Sequence, residues 1–190
     1  AAALPGTSVI ENAAREPEIE DLADFLKGMG AKVAGAGTSR IVVEGKARLH
    51  GVKHRVIPDR IETGTLLIAV AAAGGDVVLK DARPEHLTAL IAALKRAGAK
   101  ITSVKGGIRV RANGRPKAVS VTTQPHPGFP TDVQAPYMAY MASAKGESRI
   151  REAIFERRFL PAAELARMGA RVAVSGDAAF ITGVEELSGA

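Results

Sequence analysis

Three stretches of the chain repeat one another, and that repetition limits the fold more than any other feature. Residues 17–32 read PEIEDLADFLKGMGAK, residues 84–100 read PEHLTALIAALKRAGAK, and residues 161–171 read PAAELARMGAR. Each reads as a helix that opens on Pro and closes on Gly-Ala-Lys/Arg. Pro suits the first turn of a helix because its missing N–H would be unpaired there anyway. The closing glycines, Gly30, Gly98 and Gly169, are 68 and 71 residues apart. Each supplies the left-handed residue that ends a helix. Ile19, Leu22, Ala23 and Leu26 fall on one helical face, as do Leu87, Leu90, Ile91 and Leu94, so both helices are predicted to be amphipathic. Repetition at a fixed period points to copies of one supersecondary unit.

Short alternating strands follow these helices. Lys32-Val33-Ala34 and Lys100 to Val104 come first, then Arg40 to Glu44, Gly107 to Arg111 and Ala178 to Thr182. The run Gly35-Ala36-Gly37-Thr38 joins two of them; it lacks the rest of a dinucleotide fingerprint and reads as a turn. Asn113-Gly114, inside RVRANGRPK, is a hairpin signal, which predicts an exposed basic hairpin. Two other segments, DRIETGTLLIAVAAA over 59–73 and DVQAPYMAYMASA over 132–144, are apolar on most sides. Helices of that kind are buried all round. Units built from one central helix, one amphipathic helix and several strands pack with helices inside and sheets outside. The expected fold class is therefore α/β (α+β), an inside-out barrel of repeated units, with boundaries that give segments 1–57, 58–124 and 125–190.

Composition narrows the chemistry. At 190 residues and 46% hydrophobic, the chain can bury a substantial core, yet only 4% is aromatic and Trp is absent. Ala, Val, Ile and Leu must fill that core, with Met29, Met138, Met141 and Met168 as gap fillers. No cysteine is present, which excludes disulfides and a Cys nucleophile within these residues. His50, His54, His86 and His126 are not read as a metal set. The longest apolar run, Leu66 to Ala73, is far short of the roughly 20 residues of a membrane span. No stretch reads as a signal peptide, and a cytoplasmic location is expected. The net charge of +6 suits a phosphate-bearing small molecule as well as a nucleic acid. The basic residues are dispersed and lack an aromatic stacking surface, so no nucleic-acid partner is expected. Both ends, AAALP and LSGA, read like cuts through a longer protein.

Several words in the chain resemble a known family. IENAAREPEI (10–19), RVIPDRIETGT (55–65), PHPGFPTDVQ (125–134), IFERRF (154–159) and GVEELSGA (183–190) are similar, in order and spacing, to the UDP-N-acetylglucosamine type of bacterial enolpyruvyl transferase. That resemblance implies two lobes of three repeats each, with ligands between the lobes. The chain would be the last repeat of one lobe and two repeats of the other, an internal to C-terminal portion. It also implies transfer of enolpyruvate from phosphoenolpyruvate to the 3′-hydroxyl of UDP-N-acetylglucosamine, in peptidoglycan precursor synthesis, without metal or cofactor. The family's Lys-Asn pair, its mobile loop with a Cys or Asp acid, and its phosphoenolpyruvate-holding arginines match nothing here. The partners implied are the two substrates and the remainder of the enzyme, and the chain alone is expected to be inactive.

The resemblance also nominates residues. Asp132 matches the Pro-Thr-Asp aspartate that acts as base at the sugar hydroxyl; the residues alone favour a plain helix cap, and the surrounding PHPGFPTDVQ favours the base. Arg158 matches an arginine that orders the site near the sugar, against a plain solvated cluster, Glu156-Arg157-Arg158. Arg157 stands where the family usually has Asn. Ile154 matches a position that packs on the nucleotide, or is an ordinary strand residue. Asp59, Arg60 and Glu16 match charged residues near the hinge and cleft, and could equally be structural ion pairs; Arg15 is a weaker candidate. Two other functions are compatible with the residues: a non-catalytic scaffold or binding module of the same fold, and a basic nucleic-acid-binding domain.

Overall fold

A computed structural model describes residues 1–46 and 48–189. The chain divides into two compact units, Ala1–Ile57 and Pro58–Ala190.

The first unit contains β1 (Gly6–Glu11), α1 (Pro17–Gly28), β2 (Lys32–Ala34) and β3 (Arg40–Gly45). Its antiparallel sheet has the order β1-β3-β2. Pro17 opens α1, and Gly30, at φ +98°, follows its last turn. Thr38 Oγ1 donates to the Gly35 carbonyl across the β2–β3 turn, 2.7 Å. The helix buries a narrower stripe than its spacing predicts. Ala23 is buried and Ile19 and Leu26 are half-buried, but Leu22 is 51% exposed. A small sheet covers only the line centred on Ala23, and Leu22 lies one residue, about 100°, off that line. Past β3 the chain returns to α1. The His50 N–H donates to the Met29 carbonyl, and His54 Nε2 lies 3.0 Å from Asp21 Oδ1 with its ring against Phe25.

The second unit repeats the same topology twice. α2 (Arg60–Ala73) leads into β4 (Gly75–Lys80), α3 (Thr88–Ala97), β5 (Lys100–Val104) and β6 (Gly107–Ala112), with the sheet order β4-β6-β5. After the short β7 (Val121–Thr122), α4 (Gln134–Ala142) leads into β8 (Glu147–Arg151), α5 (Leu160–Arg167), β9 (Arg171–Ser175) and β10 (Ala178–Thr182). Here the order is β7-β8-β10-β9, in which β8-β10-β9 reproduces the other two sheets. All three sheets put the last strand in the middle. Strand–helix–hairpin is thus one unit used three times.

α2 and α4 pack on each other and on their sheets. One core unites the two repeats, with Leu67, Leu90, Leu94, Ile108, Val110, Tyr137, Met138, Met141, Ile150 and Ala179 sealed from solvent. Gly64 is needed for this packing: a Cβ there would come within 2.9 Å of Leu90 and 3.1 Å of Val133. Tyr137 solves the problem of a buried hydroxyl by donating to the Val119 carbonyl, 3.1 Å.

α4 has no exposed residue, close to what its composition predicts, although Ala135, Pro136 and Ala139 are half-buried. α2 differs. Thr63, Gly64, Leu67, Ile68 and Ala71 are buried, whereas Leu66, at 46%, and Ala69, Ala72 and Ala73 are exposed. Only one neighbouring central helix is present to cover α2, so its opposite stripe faces outward.

The predicted basic hairpin at Asn113-Gly114 does not form, because β6 already pairs with β4 and β5 on both sides. The chain instead runs across the end of α4. Arg115 donates to the carbonyls of Ser143, Ala144 and Gly183 at 2.8–3.0 Å. Those acceptors include orphan carbonyls that every helix leaves at its C-terminus.

Candidate active site

Two segments far apart in sequence meet beside the N-terminus of α4. The first runs from Thr123 to Val133. It turns at 125–128, where the Gly128 N–H donates to the Pro125 carbonyl, and the His126–Pro127 bond is cis. It then enters α4 through a 3-10 turn, Thr131–Val133. The second runs from the end of β8 to the start of α5 and carries Glu152 to Phe159.

Asp132 and Arg158 are brought together here. Arg158 Nη2 donates to Asp132 Oδ1 at 3.0 Å, with side-chain exposures of 37% and 48%. The Arg158 guanidinium also sits 5.1 Å from the Phe155 ring centre, face-on enough for a cation–π contact. Phe155 itself is exposed. The carboxylate is therefore accessible from solvent and fixed by a single cation. Asp132 is not a helix cap, in contrast to its expected local role. The position before the 3-10 turn is Pro130, no side chain caps it, and the Asp132 carboxylate goes to Arg158 instead.

The centre of this junction is a residue that the motifs did not single out. Glu152 is only 4% exposed. Its Oε1 accepts from Thr123 Oγ1 at 2.7 Å, Ile154 N at 2.9 Å and Phe155 N at 3.2 Å. Its Oε2 accepts from Thr131 Oγ1 at 2.7 Å. Burial pushes its pKa up, but the four hydrogen bonds together outweigh burial and hold it below the ordinary carboxylate range. Ser148 and Ile150 on β8 and Glu152 just past its end are spaced by two, and all three are buried. A carboxylate that continues the core face of a strand demands partners.

The remaining nominated residues divide. Ile154 is half-buried and its N–H is one of the Glu152 donors. Asp59 caps α2, accepting from Ile61 N at 2.7 Å and Glu62 N at 3.1 Å. Arg60 opens that helix and, with Arg83 and His126, lies close enough to His86 to influence its titration. Desolvation lowers the His86 pKa; Glu85 opposes this, and Arg83, His126 and Arg60 reinforce it. Glu16 belongs to the first unit, at the start of α1; its Oε2 is buried with no hydrogen-bond partner among the described residues. Arg15, just before it, is exposed. Arg157 adopts φ +56°, a left-handed conformation that Asn tolerates better than Arg.

A cleft of about 570 Å³ adjoins the junction, lined by Arg151, Glu152, Ile154, Phe155, Arg157 and Asp177 among others. His50 and His54 stand four residues apart, but they lie outside any helix. Among the described residues no group of three or more His, Asp or Glu side chains is placed to hold a metal ion, and no helix is long and apolar enough to cross a membrane.

The chain is mixed α/β, with a strand–helix–hairpin unit used three times and an aspartate–arginine pair between two loops. The whole chain, residues 1–190, matches the EPSP synthase (3-phosphoshikimate 1-carboxyvinyltransferase) family, and it belongs to that family. Within it, the UDP-N-acetylglucosamine 1-carboxyvinyltransferase of Methylobacterium radiotolerans is 60% identical over 192 residues, covering 100% of this chain and 45% of that protein. The protein of the same name from Xanthobacter autotrophicus is 58% identical, covering 97% of this chain and 43% of its own length. Among solved structures, the enolpyruvyl transferase NikO from Streptomyces tendae superposes with a TM-score of 0.83 at 26% identity, covering 96% of this chain and 44% of that one. The EPSP synthase of Acinetobacter baumannii, at 17% identity and a TM-score of 0.51, shares the fold. The chain thus spans less than half the length of the relatives it matches.

Proposed function

We propose that this chain is a portion of an enzyme that transfers enolpyruvate from phosphoenolpyruvate to the 3′-hydroxyl of UDP-N-acetylglucosamine, in cytoplasmic synthesis of peptidoglycan precursors. The observation that carries this reading is the Asp132–Arg158 pair, 3.0 Å, formed between two of the matched words. High identity to proteins named for that reaction supports it. In the complete enzyme the exposed stripe of α2, Leu66, Ala69, Ala72 and Ala73, packs against a third central helix, which closes an inside-out barrel. Segments 58–124 and 125–190 are two repeats of that lobe, and 1–57 is the last repeat of the other.

In this reading Asp132 takes the proton from the 3′-hydroxyl as the sugar oxygen bonds to C2 of phosphoenolpyruvate. An acid elsewhere in the enzyme protonates C3, giving a tetrahedral ketal. Loss of a C3 proton and expulsion of phosphate then restore the double bond. Arg158 holds the Asp132 carboxylate in direction while one oxygen stays available. Ile154 packs on the nucleotide. Asp59, Arg60 and Glu16 are the further charged residues that this reading assigns to substrate binding.

The test uses the full-length enzyme carrying this chain, given both substrates, with phosphate release as the readout. Asp132→Asn is expected to lower turnover by about 10²–10⁴-fold, the usual contribution of a general base. Because Asp132 caps nothing, Asp132→Asn and Asp132→Ala should both leave stability within about 1 kcal/mol of wild type, the range of an exposed ion pair. Normal turnover in folded Asp132→Asn would remove Asp132 from the base role.

A further inference from the structure

We propose that Glu152 is a positioning residue that sets the Asp132–Arg158 pair, clamping the Thr131–Val133 turn to the segment that carries Ile154 and Arg158. The proposal rests on the function inferred above, and it concerns a residue outside the matched motifs. Glu152 continues the buried face of β8 just past its end. A buried carboxylate there is costly unless every lone pair is used. All of its contacts are donors: two hydroxyls, Thr123 and Thr131, and two backbone N–H groups, Ile154 and Phe155. Thr123 Oγ1 also accepts from the Ala153 N–H at 2.8 Å, which closes a ring of bonds at the base of the loop.

The two ends of that ring differ in consequence. Oε1 shapes the 152–155 turn and so aims the chain toward Arg158. Oε2 reaches only Thr131, the residue directly before Asp132. Thr123 ties the start of the aspartate's segment to the arginine's loop, and the Thr131–Glu152 bond of 2.7 Å is the tie next to Asp132 itself. An ångström of drift between Asp132 and Arg158 is enough to cost a large factor in rate, because catalysis depends on near-attack geometry.

Thr131→Val and Thr131→Ser separate positioning from mere stability. In the full-length enzyme, Thr131→Val is isosteric and is expected to fold. Its kcat should fall about tenfold or more, with little change in KM for phosphoenolpyruvate, and Thr131→Ser should restore kcat. A crystal structure of Thr131→Val reads the clamp without substrate: the Asp132–Arg158 contact should open. Glu152→Gln provides a second line. Its carbonyl can keep the three Oε1 donors and its amide can donate to Thr131 Oγ1, so the pair and most of kcat should survive. A folded Thr131→Val that keeps both the closed pair and wild-type kcat overturns the clamp, as does a Glu152→Gln enzyme that loses turnover with the pair intact. If wild type fails to turn over the two substrates while the contact opens in Thr131→Val, the clamp stands and the enzymatic reading falls.

Discussion

At the scale of single residues, three acidic side chains illustrate how context decides a role. Asp59 and Asp132 each open a central helical segment. Asp59 spends its carboxylate on the free N–H groups of α2. Asp132 leaves those groups alone and turns to Arg158. Sequence physics treats the two alike, because both are Asp at the start of an apolar segment. Only a loop from 26 residues away distinguishes them. Glu152 is the third; neither its burial nor its four partners is written in the residues around it, since ESRIRE carries a single apolar side chain, Ile150. Arg157 adds a stability test. A non-glycine residue at φ +56° carries a steric penalty of about 1–2 kcal/mol. Arg157→Gly should relieve part of it, raising stability by up to about 1 kcal/mol, measured as a higher urea midpoint at unchanged slope. A lower midpoint would show that the Arg157 side chain contributes more than its backbone costs.

At the scale of elements, the repeated helices were readable because their signals are local. Pro at the first turn, Gly after the last and an apolar face between them are properties of a dozen residues. α1, α3 and α5 accordingly form where the repeats lie. Their packing is less uniform than their sequences. Leu94 on α3 is fully buried, and Leu94→Ala should cost about 2–5 kcal/mol by opening a cavity; a change below about half a kcal/mol would remove it from the core. Leu22 on α1 is half exposed despite the same helical pattern. Gly64 on α2 shows the opposite limit. Gly64→Ala improves helix propensity by about 1 kcal/mol, yet its methyl would press on Leu90 and Val133. Overpacking of that kind costs about 1–3 kcal/mol, so the net change should be destabilising in a thermal melt. A higher Tm would mean that α2 can move away from α3.

At the scale of the whole molecule, two titrating groups that folding takes partly or wholly out of water, half-buried His86 and buried Glu152, contribute to the pH response. His86 and Glu152 both have pKa values lowered by folding. A lowered pKa means that the unfolded chain binds the proton more readily, so stability falls as pH falls. The His86 contribution is complete above its ordinary value of 6.5 and is lost as pH drops below it. The Glu152 contribution is complete above 4.5 and is lost at still lower pH. Urea midpoints at pH 7.5, 5.5 and 3.5 should therefore decline in two stages, and His86→Asn should flatten the first. A midpoint that rises on acidification would contradict both assignments.

The sequence by itself determined the repeat, its helices and hairpins, the apolar central segments and the matched words that carry Asp132 and Arg158. Each of these is written in neighbouring residues, through dihedral preferences, side-chain periodicity and turn chemistry. The tertiary structure decided what those residues do. It turned a predicted basic hairpin into the Arg115 lock on α4, left one stripe of α2 uncovered, gave Asp132 an arginine instead of a helix end, and placed Glu152 beneath both. Such contacts join segments 20 to 70 residues apart. Their partners are selected by which loops the packed core brings within hydrogen-bond reach, and no local pattern in the chain encodes that distance.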